Sequence, residues 1–129
     1  MFGDKMLIGQ FEVLLDDKAR MFIPAKFDSE KGDALVLMYD AHINCYRIYN
    51  KSKIEEKFKQ LDDLILSAKT EEELAGYKLI FFNFCKSILK ECAVDSQNRI
   101  SLGNGFVPRE KLQIIGANDH AILERKKQQ

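Results

Sequence analysis

Two short segments carry residues that could do chemistry at one spacing. Leu15 to Ile23 reads LDDKARMFI, and Val94 to Leu102 reads VDSQNRISL. Asp16 matches Asp95 and Arg20 matches Arg99, each pair 79 positions apart, and Phe27 and Phe106 fall at the same separation. The common pattern is apolar, Asp, three residues, Arg, apolar, any residue, apolar. A carboxylate at the start of a turn accepts hydrogen bonds from backbone N–H groups two or three residues on, and it can also pair with the arginine. An arginine held near a loop tip is a ligand for phosphate or guanine, because its guanidinium is planar, forked and always charged. Lys18 would point outward at the first tip, where the second copy has Gln97. Read structurally, the same pair is a turn-closing ion pair of the kind that contributes little to stability. The sequence leaves both readings open.

Other reactive residue types form no constellation. His42 and His120 each fall in an expected strand–strand turn, and no His, Cys or carboxylate group has metal-ligand spacing. Cys45, Cys85 and Cys92 stand apart with no CxxC pair, which excludes a zinc ribbon or dithiol motif. Cys45 and Cys92, in apolar strand context, read as core thiols. There is no nucleophile–His pairing, no glycine-rich phosphate loop and no G-x-S-x-G. These absences point to a non-enzyme without a cofactor, metal or small-molecule substrate. The aromatic run Phe81, Phe82 and Phe84 could stack bases, but a buried helix end is the expectation. Lys126 and Lys127 read as a solvated charged end.

The elements that must position the two motifs follow from periodicity. Ile8 to Leu15 and Arg20 to Ile23 read as strands around a turn, followed by a short helical segment opened by Pro24. Ala34 to Tyr39 (ALVLMY) and Asn44 to Tyr49 (NCYRIY) read as a second strand pair. The second copy repeats this order with Leu112 to Gly116 and His120 to Glu124, so a duplication is the expected organisation. Between the copies, Ile54, Phe58, Leu61 and Ile65 mark one helical face, with Ser52 as its start signal. Thr70 before Glu71, Glu72 and Glu73 opens a second helix running towards Phe84. The expected plan is α+β: a first half over residues 1–50, a helical connector over 51–85, and a second half over 86–129.

Composition bounds the partners. The chain has 129 residues, 46% of them hydrophobic, enough to bury a core. Twenty basic residues balance twenty acidic ones. A neutral chain is a poor phosphate ligand taken singly, so nucleic-acid binding requires a local basic patch, repeated by oligomerisation. No stretch is long enough to span a membrane, and the first ten residues lack a secretory apolar run. A cytoplasmic protein with reduced thiols is expected.

The segment FEVLLDDKARMFIPAKF, Phe11 to Phe27, resembles the opening motif of the MraZ transcriptional regulators, matching it at Leu15, Asp16, Lys18, Arg20, Ile23, Pro24, Ala25 and Lys26. Phe81 to Leu102 resembles the family's second motif, with two Phe, Glu91-Cys92, Asp95 and Arg99-Ile100. Ile115-Gly116 and Leu123-Glu124 also fit, so the resemblance covers about 120 residues. It implies a SpoVT/AbrB-like swapped-hairpin fold, with two pseudo-symmetric β units and a helical middle segment in one compact domain. It implies a sequence-specific repressor of the division and cell-wall gene cluster. Such a protein assembles as a ring-like homo-oligomer on double-stranded DNA, at direct repeats upstream of its own operon, in the cytoplasm at the nucleoid. By the same resemblance, Lys18, Arg20, Arg99 and Gln97 contact DNA, and Asp16 and Asp95 shape the loops. The chain departs from the family pattern at Ala19 and Asn98, where the family has glycine, and at Leu102-Gly103, where it has Ile-Pro. The family's late tryptophan and following helix have no counterpart before Gln129. These departures leave an alternative of another class, an antitoxin-like or assembly module that mainly binds a protein partner.

Overall fold

The computed structural model describes residues 1–103 and 105–126. Among these residues are eight strands and two α-helices: β1 (Gln10–Leu14), β2 (Arg20–Phe22), β3 (Ala34–Asp40), β4 (Cys45–Asn50), α1 (Lys51–Leu66), α2 (Glu71–Ser87), β5 (Ile88–Ala93), β6 (Arg99–Ser101), β7 (Lys111–Gly116) and β8 (His120–Arg125). A 3-10 turn, Ala25–Phe27, follows Pro24. The first strand is shorter than its apolar pattern suggests, and Ile8 lies outside it, 64% exposed.

Six strands form one antiparallel sheet in the order β1-β7-β8-β4-β3-β5, and β2 pairs with β6 in a separate two-stranded ribbon. The order reads the same from either edge once each strand is replaced by its counterpart in the other copy. The hairpins β3–β4 and β7–β8 meet at the centre, with Tyr46 opposite Leu123 and Tyr49 opposite His120. β1 of the first copy pairs with β7 of the second, and β5 of the second pairs with β3 of the first. Each copy thus lends an outer strand to the other. This is an α+β swapped-hairpin arrangement in which neither sheet half is complete alone.

The main core joins the sheet to the β2–β6 ribbon. Leu35, Leu37, Leu112, Ile114 and Leu123 from the sheet pack in one cluster with Met21 and Ile100 from the ribbon and with Phe27, all at most 1% exposed. Burying each such side chain contributes about 1.5–3 kcal/mol. The N-terminus is drawn into this core. Phe2 is buried, its carbonyl accepts from Asn50 Nδ2 at 2.7 Å, and its ring meets Phe27 edge-on. At Gly116 a Cβ would sit 2.6 Å from the backbone of Leu7 and Ile8, so only glycine lets the N-terminal segment lie against β7.

The helices cover the alternate residues of β3. Ile54 of α1 packs with Val36 and Met38, and Phe58, Phe84 and Ile88 complete this smaller cluster. The cap of α1 lies two residues before the expected signal: Asn50 rather than Ser52 caps the helix and accepts from the Ser52 N–H. Thr70 caps α2 by accepting from Glu73 N, and the Glu73 carboxylate returns to Lys69 N at 3.0 Å.

Two expectations need correction. The aromatic end of α2 is not buried: no residue of this helix is, and Phe82 is 57% exposed. Phe81 and Phe84 lean on Phe58 at 5.7 and 5.0 Å, but α2 rests mainly on α1, β3 and β5, and its far face has no cover among the described residues. His120 is likewise more than a turn residue. It heads β8, is buried, and stacks on Tyr49 at 4.4 Å because the β4–β8 register sets the two rings opposite. Arg47 Nη1 lies 2.6 Å from its Nε2, which must accept, and its Nδ1 lies 2.8 Å from Asp119 Oδ1. His42 does lie in an exposed turn, donating its backbone N–H to Asp40. Cys45 and Cys92 are buried thiols and Cys85 is exposed. Lys126 pairs with Glu12 at 2.6 Å, whereas Lys127 lies outside the described residues.

Candidate nucleic-acid interface

The two Asp–Arg motifs form loops closed by the same set of hydrogen bonds. In the first, Asp16 Oδ1 accepts from the backbone N–H groups of Lys18 and Arg20, both at 2.9 Å, and Asp16 Oδ2 accepts from Arg20 Nε at 2.7 Å. In the second, Asp95 Oδ1 accepts from Gln97 N and Arg99 N at 2.9 Å, and Asp95 Oδ2 from Arg99 Nε at 2.9 Å. The backbone closes each loop in the same way, Asp16 N to Arg20 O and Asp95 N to Arg99 O. The turn therefore has its physical cause in the aspartate: one oxygen satisfies two backbone donors and the other fixes the arginine.

The fourth residue of each loop must turn left-handed. Ala19 has φ 55° and Asn98 has φ 62°. Glycine takes this region freely and Asn tolerates it, but Ala does so only against a cost of about 1 kcal/mol. Asn98 also uses its side chain, accepting from the Ser29 hydroxyl and donating to Ile23 O at 3.4 Å. Ala19 instead buries its methyl in the main core.

The ribbon brings the loops together, a feature that spacing alone could not give. Arg20 lies opposite Ser101, Met21 opposite Ile100, and Phe22 opposite Arg99. Flanking bonds repeat across the same two-fold, Ile23 N to Asn98 O and Leu102 N to Ala19 O. Met21 and Ile100 point into the core, so the alternate residues Arg20, Phe22, Arg99 and Ser101 face outward. The arginines stand at strand starts, at the ends of the two turns, with side chains 27% and 16% exposed. The turn-closing ion pair is present in both copies. Nε of each arginine is spent on its aspartate, while the outer nitrogens of Arg20 have no hydrogen-bond partner among the described residues. Lys18 and Gln97 stand exposed at the two tips.

Two features of this surface escaped the sequence reading. Arg99 Nη1 crosses to Asp16 Oδ2 at 3.7 Å, so one carboxylate touches both arginines. Phe22 lies half exposed beneath Arg99, its ring centre 5.7 Å from the guanidinium carbon. Its only signal was a large apolar residue at the unconstrained position of the motif.

Electrostatically the frame is tight and balanced. Partial burial would raise the Asp16 carboxyl, but the N–H groups of Arg20 and Lys18 and the Arg20 guanidinium outweigh it, bringing it from 3.8 down to about 2. Asp95 is lowered too, burial again being outweighed by the N–H groups of Arg99 and Gln97 and by the guanidinium of Arg99. Lys18, Arg20 and Arg99 are matched in number by Asp16, Asp17 and Asp95. The two loops of a single chain are thus balanced in charge. Among the described residues no group of His, Cys, Asp and Glu is arranged to hold a metal ion, and no helix is long and apolar enough to cross a membrane.

Comparison with known proteins adds an independent line. No family model matches the chain. Among curated proteins, it is 33% identical over 110 residues to the transcriptional regulator MraZ of Halothermothrix orenii, covering 84% of this chain and 70% of that protein. It is 35% identical over 108 residues to the MraZ of Thermoanaerobacter pseudethanolicus, again covering 84% and 70%. With the MraZ of Natranaerobius thermophilus it shares 34% identity over 125 residues, 92% of this chain and 80% of the relative. With identities of this size over most of its length and more than two thirds of each relative, the chain belongs to the MraZ family of transcriptional regulators.

Proposed function

We propose that this chain is a sequence-specific DNA-binding repressor. In this reading Lys18, Arg20, Gln97 and Arg99 meet the duplex, and Asp16 and Asp95 hold the loops that present them. The observation that carries it is the pairing of two Asp–Arg loops, closed by the same hydrogen bonds, on one outward ribbon face, with guanidinium groups aimed by their own carboxylates. A preoriented arginine loses little freedom on meeting a phosphate or the O6/N7 edge of guanine. The halves 1–50 and 86–129, with their connector 51–85, act as one unit, because each half completes the other's sheet.

A balanced patch cannot bind DNA strongly by itself, so the reading requires several copies. We assign the chain a ring-like homo-oligomer that meets direct repeats, one pair of loops per repeat, upstream of its own division and cell-wall operon. That places it in the cytoplasm at the nucleoid. The exposed apolar row of α2, Leu79, Ile80 and Phe82, is what such an assembly would use. The same row supports the second reading, a module of this fold that mainly binds another protein.

The test is binding of the purified chain to its own upstream DNA across a salt series, compared with a scrambled duplex. Sequence-dependent binding that weakens steeply with salt is the expected result. Arg20→Ala with Arg99→Ala should abolish it while the oligomer persists, because neither side chain belongs to the core. Retained affinity in that variant would remove these residues from the interface. No binding at low salt, with a second protein captured through α2, would favour the other reading.

A further inference from the structure

A second site lies away from the ribbon. A cleft of about 1200 Å³ opens between the α1–α2 pair and the β3–β4 hairpin. Met38, Ile54 and Phe84 line it with apolar surface, and Tyr49, one face of whose ring stacks on His120, adds an aromatic side chain. Its acidic residues are already engaged. Asp40 accepts from Arg47 Nε at 3.0 Å, Glu56 lies 4.0 Å from Lys53, and Asp119 lies 2.8 Å from His120. Two cations at the mouth have no such partner. Lys57, on α1, and Lys86, on the last turn of α2, are exposed and make no ion pair among the described residues; Lys86 merely rests 5.5 Å above the Phe82 ring. A pocket with an apolar, aromatic interior and unmatched ammonium groups at its rim is complementary to one kind of small molecule.

We infer that this cleft binds a planar aromatic anion, its ring against Tyr49 and the apolar lining and its anionic group between Lys57 and Lys86. The class includes aryl phosphates, aryl carboxylates and nucleotides. The aromatic side chain favours a flat body over a flexible acyl chain. The two lysines come from different helices, so a bound anion would also tie α1 to α2 across the mouth. This site stands independently of the DNA reading, since it shares no residue with the ribbon.

The experiment is a fluorescence titration of the full chain with 8-anilinonaphthalene-1-sulfonate, run beside its uncharged counterpart N-phenyl-1-naphthylamine. The expected result is saturable binding of one sulfonate probe per chain, about tenfold tighter than the neutral probe. Lys57→Glu with Lys86→Glu should weaken the sulfonate by about tenfold or more and leave the neutral probe unchanged. Both side chains are solvent-exposed, so this variant is expected to fold. Equal affinity for both probes would overturn the inference, as would sulfonate binding unaffected by the double substitution, which would place the probe on the apolar row of α2. Binding that declines as chain concentration drives self-assembly would also overturn it, by showing that a second copy fills the cleft.

Discussion

The two Asp–Arg loops differ in what they display far more than in how they are built. Six hydrogen bonds, counted between aspartate and loop in both copies, agree in partner, and their lengths lie between 2.7 and 2.9 Å. Yet the first tip offers Lys18 beside Asp17, and the second offers Gln97 beside Ser96. The first loop turns on a strained Ala19, the second on an Asn98 whose side chain is tied to Ser29 and Ile23. Only Arg99 reaches across to the other copy's aspartate. The frame is constrained because both loops close one ribbon over one core, while the tips can differ because their side chains are exposed.

The largest expected effect tests the shared frame. Met21→Ala and Ile100→Ala each remove a side chain that is at most 1% exposed, and each should destabilise the fold by about 2–5 kcal/mol. Near-equal losses in urea unfolding would sustain the symmetry; a loss confined to one copy would break it. Next in size is the display. Arg20→Ala and Arg99→Ala should each weaken DNA binding by about 1–3 kcal/mol. Arg99→Ala should cost more, since it also releases Asp16, and equal or reversed penalties in a mobility-shift titration would deny the cross-contact any weight.

A tip exchange should have a smaller, opposite-signed outcome in the two copies. Lys18→Gln should lower affinity for all duplexes alike and reduce the salt slope by about one, while Gln97→Lys should raise both. Smaller still is the backbone comparison. Ala19→Gly should stabilise by less than about 1 kcal/mol, because the strain relieved at φ 55° is partly offset by the lost buried methyl, whereas Asn98→Gly should destabilise through two lost side-chain hydrogen bonds. Melting temperatures moving in the same direction would show that left-handed strain at Ala19 is not the governing difference.

The last distinction is a matter of pH. Both carboxyls titrate lower folded than unfolded, so their contribution is present in full above pH 3.8 and is lost as pH falls towards about 2 for Asp16. Side-chain carboxyl titration by NMR should show Asp16 protonating after Asp95. The reverse order would mean that the crossing arginine does not favour its charge.

Much of the fold was legible without coordinates, and the reasons are local. Strand pattern, the Thr70 cap and the helical face of Ile54, Phe58, Leu61 and Ile65 are properties of neighbouring residues. The constant spacing of Asp16–Arg20 and Asp95–Arg99 showed the repeated loop, since a turn closed by one carboxylate needs that spacing wherever it occurs. The aromatic end of α2 misled because three phenylalanines in a helix usually mark burial, and the sequence gives no sign that this helix has a single covered side. His120 misled for a related reason: its surroundings come from Tyr49 and Arg47, on a strand more than seventy residues away.

The sequence by itself determined the elements, the repeat and the loop chemistry, because each rests on interactions within a few residues. Tertiary structure alone decided which strand each copy lends the other, that Met21 and Ile100 back a shared ribbon, and that Arg99 and Phe22 meet on its outer face. It also decided that two unmatched lysines face one cleft. These are juxtapositions of residues distant along the chain, fixed by the sheet order and by which face of each strand the core claims, and no local pattern encodes them.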